Sequence, residues 1–157
     1  MSKNMIGLDT AKTAKLAEGL NDLLANYQVF YMNVRGYHWN IKGDKFFELH
    51  LKFEELYDDL LMKIDEIAER VLTLGHRPLH TYSAYTSKSV IPERQDISDG
   101  PVCMGYILES FSTLLEKQRK LLLESAEADD EGTNSLMSDY ITEQEKTVWM
   151  YRSFLGK

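Results

Sequence analysis

Apolar positions along this chain recur at three- and four-residue steps, which is the period of one helical face. Leu16, Leu20, Leu23, Leu24, Tyr27, Phe30, Tyr31 and Val34 trace the first such face. Asp9 or Thr10 can cap it, and the pattern continues to about Asn40, where Gly43 stops it. Asp44 then reads as the cap of a second helix. Phe46, Phe47, Leu49, Phe53, Leu56, Tyr57, Leu60, Leu61, Ile64, Ile67, Ala68, Val71 and Leu72 form a face too wide for one partner. That helix needs more than one packing surface. Gly75 and Pro78 end it. So short a turn around Gly43 makes the two long helices antiparallel neighbours.

His76 to Gly100 is a long connection carrying Pro78 and Pro92, with a short helix expected near Thr81 to Ser87. At about 25 residues it exceeds ordinary connections, so it is expected to cross the bundle from end to end. Asp99 or Ser98 caps the next long helix, with Pro101 in its first turn. Ile107, Phe111, Leu114, Leu115, Leu121 and Leu122 make its apolar face. Ala128 to Asn134 reads as a turn, and Leu136, Tyr140, Val148, Tyr151 and Leu155 mark a last helix ending at Gly156. No strand pattern or repeat competes. Four long helices with one long crossover between the second and third describe an all-α, ferritin-like four-helix bundle, a single domain over residues 1–157.

Composition narrows the class. The chain is long enough for one real core, and its 43% hydrophobic content fits a globular protein. Its apolar runs are too short for a membrane span, and the first residues lack a basic start followed by an apolar stretch. With Cys103 as the one cysteine, no internal disulfide can form, so a cytoplasmic location is expected. The net charge of −7 argues against a body that grips nucleic acid and favours attraction of cations.

The chemistry concentrates between Tyr37 and Gly75. His38 lies five residues before Gly43 and His50 seven after it, so the two face each other across an antiparallel hairpin. Glu54 is one turn past His50 on the same face. Asp65 and Glu69 are likewise four apart, but further along the second helix. His50 and Asp65 are roughly 22 Å apart along the axis, too far for one metal ion to bridge. If these residues share a site, a second copy of the chain supplies half of it. Pairing two second helices antiparallel about a two-fold axis brings Asp65 and Glu69 of one chain to His38 and His50 of the other, twice over. Mixed imidazole and carboxylate donors suit iron, zinc or manganese, and carboxylates tolerate both oxidation states of iron. Singly, Asp65 and Glu69 also fit a solvated helix face, and His38 a core histidine. Two half-sites on facing surfaces are what favour a metal centre.

These residues also carry a resemblance. The stretch HWN-x-K-G-x-x-F-x-x-x-H, followed by Asp-Glu-x-Ala-Glu-Arg and Leu-Gly, resembles the Dps-type miniferritins, the proteins of DNA protection during starvation. The C-terminal GTNSLMSDYITEQEKTVWMYRSFLGK is similar to that family's last helix. The resemblance implies a hollow shell, a dodecamer of about twelve subunits built from two-fold dimers. It implies a ferroxidase that oxidises Fe(II), typically with hydrogen peroxide, and stores the ferric product inside. It matches His38, His50, Asp65 and Glu69 to the family's intersubunit ligands, and Glu54 to a position where an acidic ligand is common. Zinc or manganese can take the same donors as iron. Ordinary ferritins fit less well, because none of the four histidines has a glutamate three residues before it.

The resemblance implies further roles. Trp39 adjoins the site and can act as a radical sink for stray oxidising equivalents; core packing explains it equally well. Asp129, Asp130 and Glu131 resemble acidic residues lining three-fold iron-entry pores, although ADDEG also reads as a solvated turn. Ser135 stands where many relatives have an aspartate. His76 and His80 are poor ligand candidates because Pro78 breaks the helix between them. DNA binding, the family's name-giving activity, is expected to be weak or absent, since little clustered positive charge is visible. The rival function is a nucleoid-compacting DNA-binding protein with little iron chemistry.

Overall fold

Helix α1 (Thr10–Asn40) starts where the Asp9 carboxylate accepts the Lys12 amide at 2.9 Å. It runs antiparallel to α2 (Phe46–Thr73), and the short α3 (Tyr82–Lys88) lies in the connection that follows. The long helices α4 (Gly100–Glu127) and α5 (Glu131–Phe154) complete the chain. This computed structural model describes residues 2–157, and among them only isolated β-bridges accompany the helices. The architecture is the expected all-α four-helix bundle with a short helix in its middle connection.

The core fills the space between the four long helices. Leu20, Leu23, Phe30, Phe53, Leu60, Ile67, Ile107, Phe111 and Leu114 are fully or almost fully buried. Each such side chain contributes about 1.5–3 kcal/mol relative to exposure. Phe30 and Phe111 meet edge to face with ring centres 5.2 Å apart, joining α1 to α4. Gly19 lets these helices approach closely, since a Cβ there would lie 2.8 Å from Leu121 Cδ2.

Asparagines on α1 hold the crossover. Asn21 Oδ1 accepts the Leu79 amide, Asn26 Oδ1 accepts those of Val90 and Ile91, and Asn33 Oδ1 accepts that of Arg94. Near the far end, the Lys42 amide donates to Ser98 O at 3.0 Å. From Asn21 to Lys42 the connection therefore follows about 30 Å of α1. This is the end-to-end crossing that its length required, and it starts α4 beside the α1–α2 turn. Gly100 fits there against Leu49, where a Cβ would lie only 2.7 Å from Leu49 Cδ1.

Two local expectations change. Asp44 does not cap α2; the cap position is Lys45, with no side-chain cap bond. Gly43 sits at φ +116° and its carbonyl accepts the Phe46 amide, so Asp44 falls inside a turn instead of at the helix mouth. The turn after α4 is also shorter than Ala128 to Asn134. Asp130 accepts the Thr133 amide at 3.1 Å, so α5 begins at Glu131.

Candidate metal centre

His38 is near the end of α1 and His50 near the start of α2, one on each side of the Gly43 turn. Their rings stack with centres 3.9 Å apart and planes 14° apart. His38 Nδ1 lies 2.6 Å from His50 O, and His50 Nδ1 lies 2.8 Å from His38 O. A carbonyl oxygen can only accept, so each Nδ1 carries a hydrogen and donates it. In the imidazole form that binds metal, the lone pair is then on Nε2. Among the described residues neither Nε2 makes a hydrogen bond. Phe46 stacks on His50 at 4.9 Å, and Tyr57 meets His38 edge-on at 5.3 Å, so both rings are fixed in place. Glu54 follows His50 by one turn and is half-buried.

Asp65 and Glu69 sit near the other end of α2, both exposed. The Asp65 carboxyl, hydrogen-bonded to Glu69 and repelling its charge, holds Glu69 above the ordinary carboxylate range. Two carboxylates that crowd each other in this way favour a cation between them. Within the chain the two halves stay apart. Among the described residues no group of three His, Cys, Asp or Glu side chains comes together.

The site side of the bundle carries exposed apolar residues. Phe47 is 82% exposed and Trp39 64%, with Leu51, Leu61 and Met62 nearby in sequence on α2. Trp39 is therefore not core. The Arg35 guanidinium lies 4.9 Å from its ring centre and 5.2 Å from that of Tyr31, one and two turns of α1 away from His38's neighbour.

A family model for the ferritin-like domain matches residues 17–157. The DNA protection during starvation protein of Porphyromonas gingivalis is 38% identical over 151 residues, covering 96% of this chain and 95% of that protein. A crystal structure of a Dps protein from Vibrio cholerae O1, described as a member of a superfamily of ferritin-like diiron-carboxylate proteins, superposes with a TM-score of 0.97. It is 58% identical and the match covers 99% of this chain and 98% of that one. The chain belongs to the Dps-type miniferritins. A Dps from Listeria innocua, with a structure determined after soaking in zinc, is more distant at 27% identity and a TM-score of 0.86. That match covers 90% of this chain and 97% of that one.

Against this Dps frame the remaining candidates separate. Asp129, at φ +57°, and Glu131 are exposed beside the α4–α5 turn. Asp130 is 1% exposed and spent on structure: it caps α5 and pairs with Arg70 at 2.6 Å. His80 Nδ1 lies 3.1 Å from the carbonyl of Pro78, and no third donor joins it and His76. Cys103 is buried, and that burial pushes its thiol up to about 12, so the thiolate is suppressed. Arg70 was not among the residues singled out from sequence. It closes the Asp-Glu-x-Ala-Glu-Arg stretch, and the sequence gives no sign that it reaches Asp130.

Proposed function

We propose that this miniferritin oxidises Fe(II) at a site shared by two copies and stores the ferric product inside a hollow shell of about twelve chains. His38 and His50 of one copy supply neutral imidazole donors. Asp65 and Glu69 of a second copy supply the negative charge that both iron oxidation states accept. Glu54 adds a carboxylate on the histidine side. Hydrogen peroxide is the oxidant: two ferrous ions give one electron each, the O–O bond breaks, and two protons complete two waters. The cytoplasm is its compartment. Zinc and manganese compete for the same donors.

The observation that carries this reading is the reciprocal bonding of the two histidines. It sets both tautomers with Nε2 bare before any metal arrives. A core histidine would have its Nε2 bonded as well. The exposed apolar residues around the pair fit a surface covered by a second copy.

The test is anaerobic titration with ferrous ion followed by peroxide, monitored optically, with particle mass measured in parallel. A shell of about twelve chains that binds ferrous ion and consumes peroxide is expected. A stable monomer oxidising iron at full rate would sink the shared site.

A further inference from the structure

We propose that Tyr57 is the electron donor that completes peroxide reduction beside the histidine pair when ferrous iron runs short. The inference rests on the reading of His38 and His50 as iron ligands. It moves the oxidising equivalent away from Trp39, the ring that the family resemblance suggests.

Position and charge separate the two rings. The Tyr57 ring meets His38 edge-on, with centres 5.3 Å apart. It is an oxidisable side chain in contact with the pair, whereas Phe46, stacked on His50, resists oxidation. Trp39 follows His38 in the chain, but its ring is 64% exposed and lies 4.9 Å from the Arg35 guanidinium. An indole that loses an electron first becomes a cation. A fixed positive charge against its face opposes that step.

Arg35 also closes the route beyond Tyr57. Tyr31 is the next ring, edge-on with centres 6.0 Å apart. The same guanidinium lies 5.2 Å from the Tyr31 ring centre and donates to its Oη at 3.3 Å. The charges acting on Tyr57 are mainly of the other sign. After burial, Glu54 and Asp58 act on it most, raising its phenol above the ordinary tyrosine range, and Arg35 acts least. Negative charges favour loss of an electron from the ring beside them. A phenol that sheds its proton with the electron ends neutral, so the radical stays on Tyr57.

Peroxide needs two electrons to become two waters. Two ferrous ions supply both. With one ferrous ion, Fe(II) gives the first electron and Tyr57 the second. The O–O bond breaks, and the phenol proton and one proton from solvent complete two waters. Fe(III) and a neutral phenoxyl radical remain. A later ferrous ion and a proton restore the phenol. Without the donor, a lone ferrous ion splits peroxide into hydroxide and hydroxyl radical.

Assembled protein is loaded anaerobically with less than one ferrous ion per site, mixed with hydrogen peroxide and freeze-quenched for electron paramagnetic resonance. Wild type should give a radical signal that narrows with ring-deuterated tyrosine and not with ring-deuterated tryptophan. Tyr57→Phe should lose that signal and release spin-trapped hydroxyl radical, in shells of unchanged mass. Trp39→Phe should keep the signal. Arg35→Met uncovers the indole and should add a tryptophan component. A wild-type signal from tryptophan, or a tyrosyl signal that survives in Tyr57→Phe, would overturn the inference. So would normal peroxide consumption with no protein radical. A His50→Ala control that consumes peroxide and forms the radical like wild type would overturn the site reading, and this inference with it. Loss in His50→Ala with a signal indifferent to Tyr57→Phe would remove only the role of Tyr57.

Discussion

His38 and His50 each bond the other's backbone carbonyl through Nδ1, at 2.6 and 2.8 Å. Neither ring can turn without breaking a bond that the other residue's backbone depends on. The pair is thus prepared for a metal by the hairpin itself, and the two rings should act as a unit. His38→Ala and His50→Ala should each lower peroxide-driven iron oxidation by about a hundredfold, and the double variant should cost little more. Stopped-flow absorbance on verified shells checks this. Additive losses would mean that the rings work separately.

The same geometry predicts complementation. Asp65→Asn removes charge at nearly constant volume, and His50→Ala removes an imidazole from the other half. Shells of either variant alone should be almost inactive. Co-assembled, some interfaces pair an intact histidine half with an intact carboxylate half, so part of the activity should return. Mixed particles verified by mass that recover nothing would count against two-fold sharing of the site.

The hairpin was legible because it is local. His38, Gly43 and His50 lie within one turn-linked stretch, and the two helical patterns fix which faces meet. The gap between His50 and Asp65 was legible for the same reason, since both ride one uninterrupted helix. What escaped notice depends on distant pairing. ADDEG reads as a solvated turn, because nothing in it reveals that Arg70, sixty residues earlier, reaches a buried Asp130. Lys63 is given no role by the sequence pattern, yet its side chain is 3% exposed and its ammonium meets Asp59 and Glu143 at 2.8 Å each. Gln118 and Gln144 gave no core signal, because glutamine is usually exposed.

Those two glutamines close a buried triangle. Tyr27 Oη donates to Gln118 Oε1, Gln118 Nε2 donates to Gln144 Oε1 at 2.8 Å, and Gln144 Nε2 donates to Tyr27 Oη at 2.6 Å. Three helices are tied by groups that satisfy one another. Tyr27→Phe deletes one hydroxyl and strands both a donor and an acceptor in the core. It should cost about 1–3 kcal/mol of stability, read from the shift in denaturant midpoint. A neutral result would show that water or a rearranged glutamine replaces the hydroxyl.

Buried phenols set an alkaline limit. Burial pushes Tyr27, Tyr37, Tyr140 and Tyr151 above the ordinary tyrosine value, and Cys103 up to about 12. In the unfolded chain the phenols release protons near pH 10, whereas the folded chain retains them. Their contribution is therefore fully present below about pH 10 and is lost as pH rises beyond it. Unfolding midpoints should be flat from neutral pH to about 8.5, fall gently as the unfolded Cys103 thiol ionises, then fall steeply above about 10, with tyrosinate absorbance appearing together with loss of helix. Ionisation well before helix loss would show that the phenols are reached without unfolding.

DNA is where the family name and this chain diverge. Affinity for duplex DNA depends largely on the phosphates a protein neutralises, because each contact releases counterions. A charge of −7 per chain becomes about −84 for a twelve-chain shell, which repels a polyanion at long range. Among the described residues, nine of the 18 lysines and arginines pair with carboxylates. Lys15, Lys88, Lys117 and Lys120 gather along one groove, where Glu124 lies 3.7 Å from Lys15 and 3.9 Å from Lys120, Asp22 lies 2.7 Å from Lys117, and Glu18 adds a further negative charge, so four lysines face three carboxylates. Lys3 belongs to a folded lead, where Ser2 O accepts the Thr10 amide and Asn4 closes a turn with Leu8. Negligible duplex binding is expected at neutral pH and physiological salt. Protection of DNA would then come from consuming ferrous iron and peroxide before they generate radicals. Divalent cations can bridge two acidic surfaces, so the gel-shift assay includes a chelator. A salt-sensitive shift at submicromolar protein under those conditions would overturn the prediction and favour the nucleoid-binding rival.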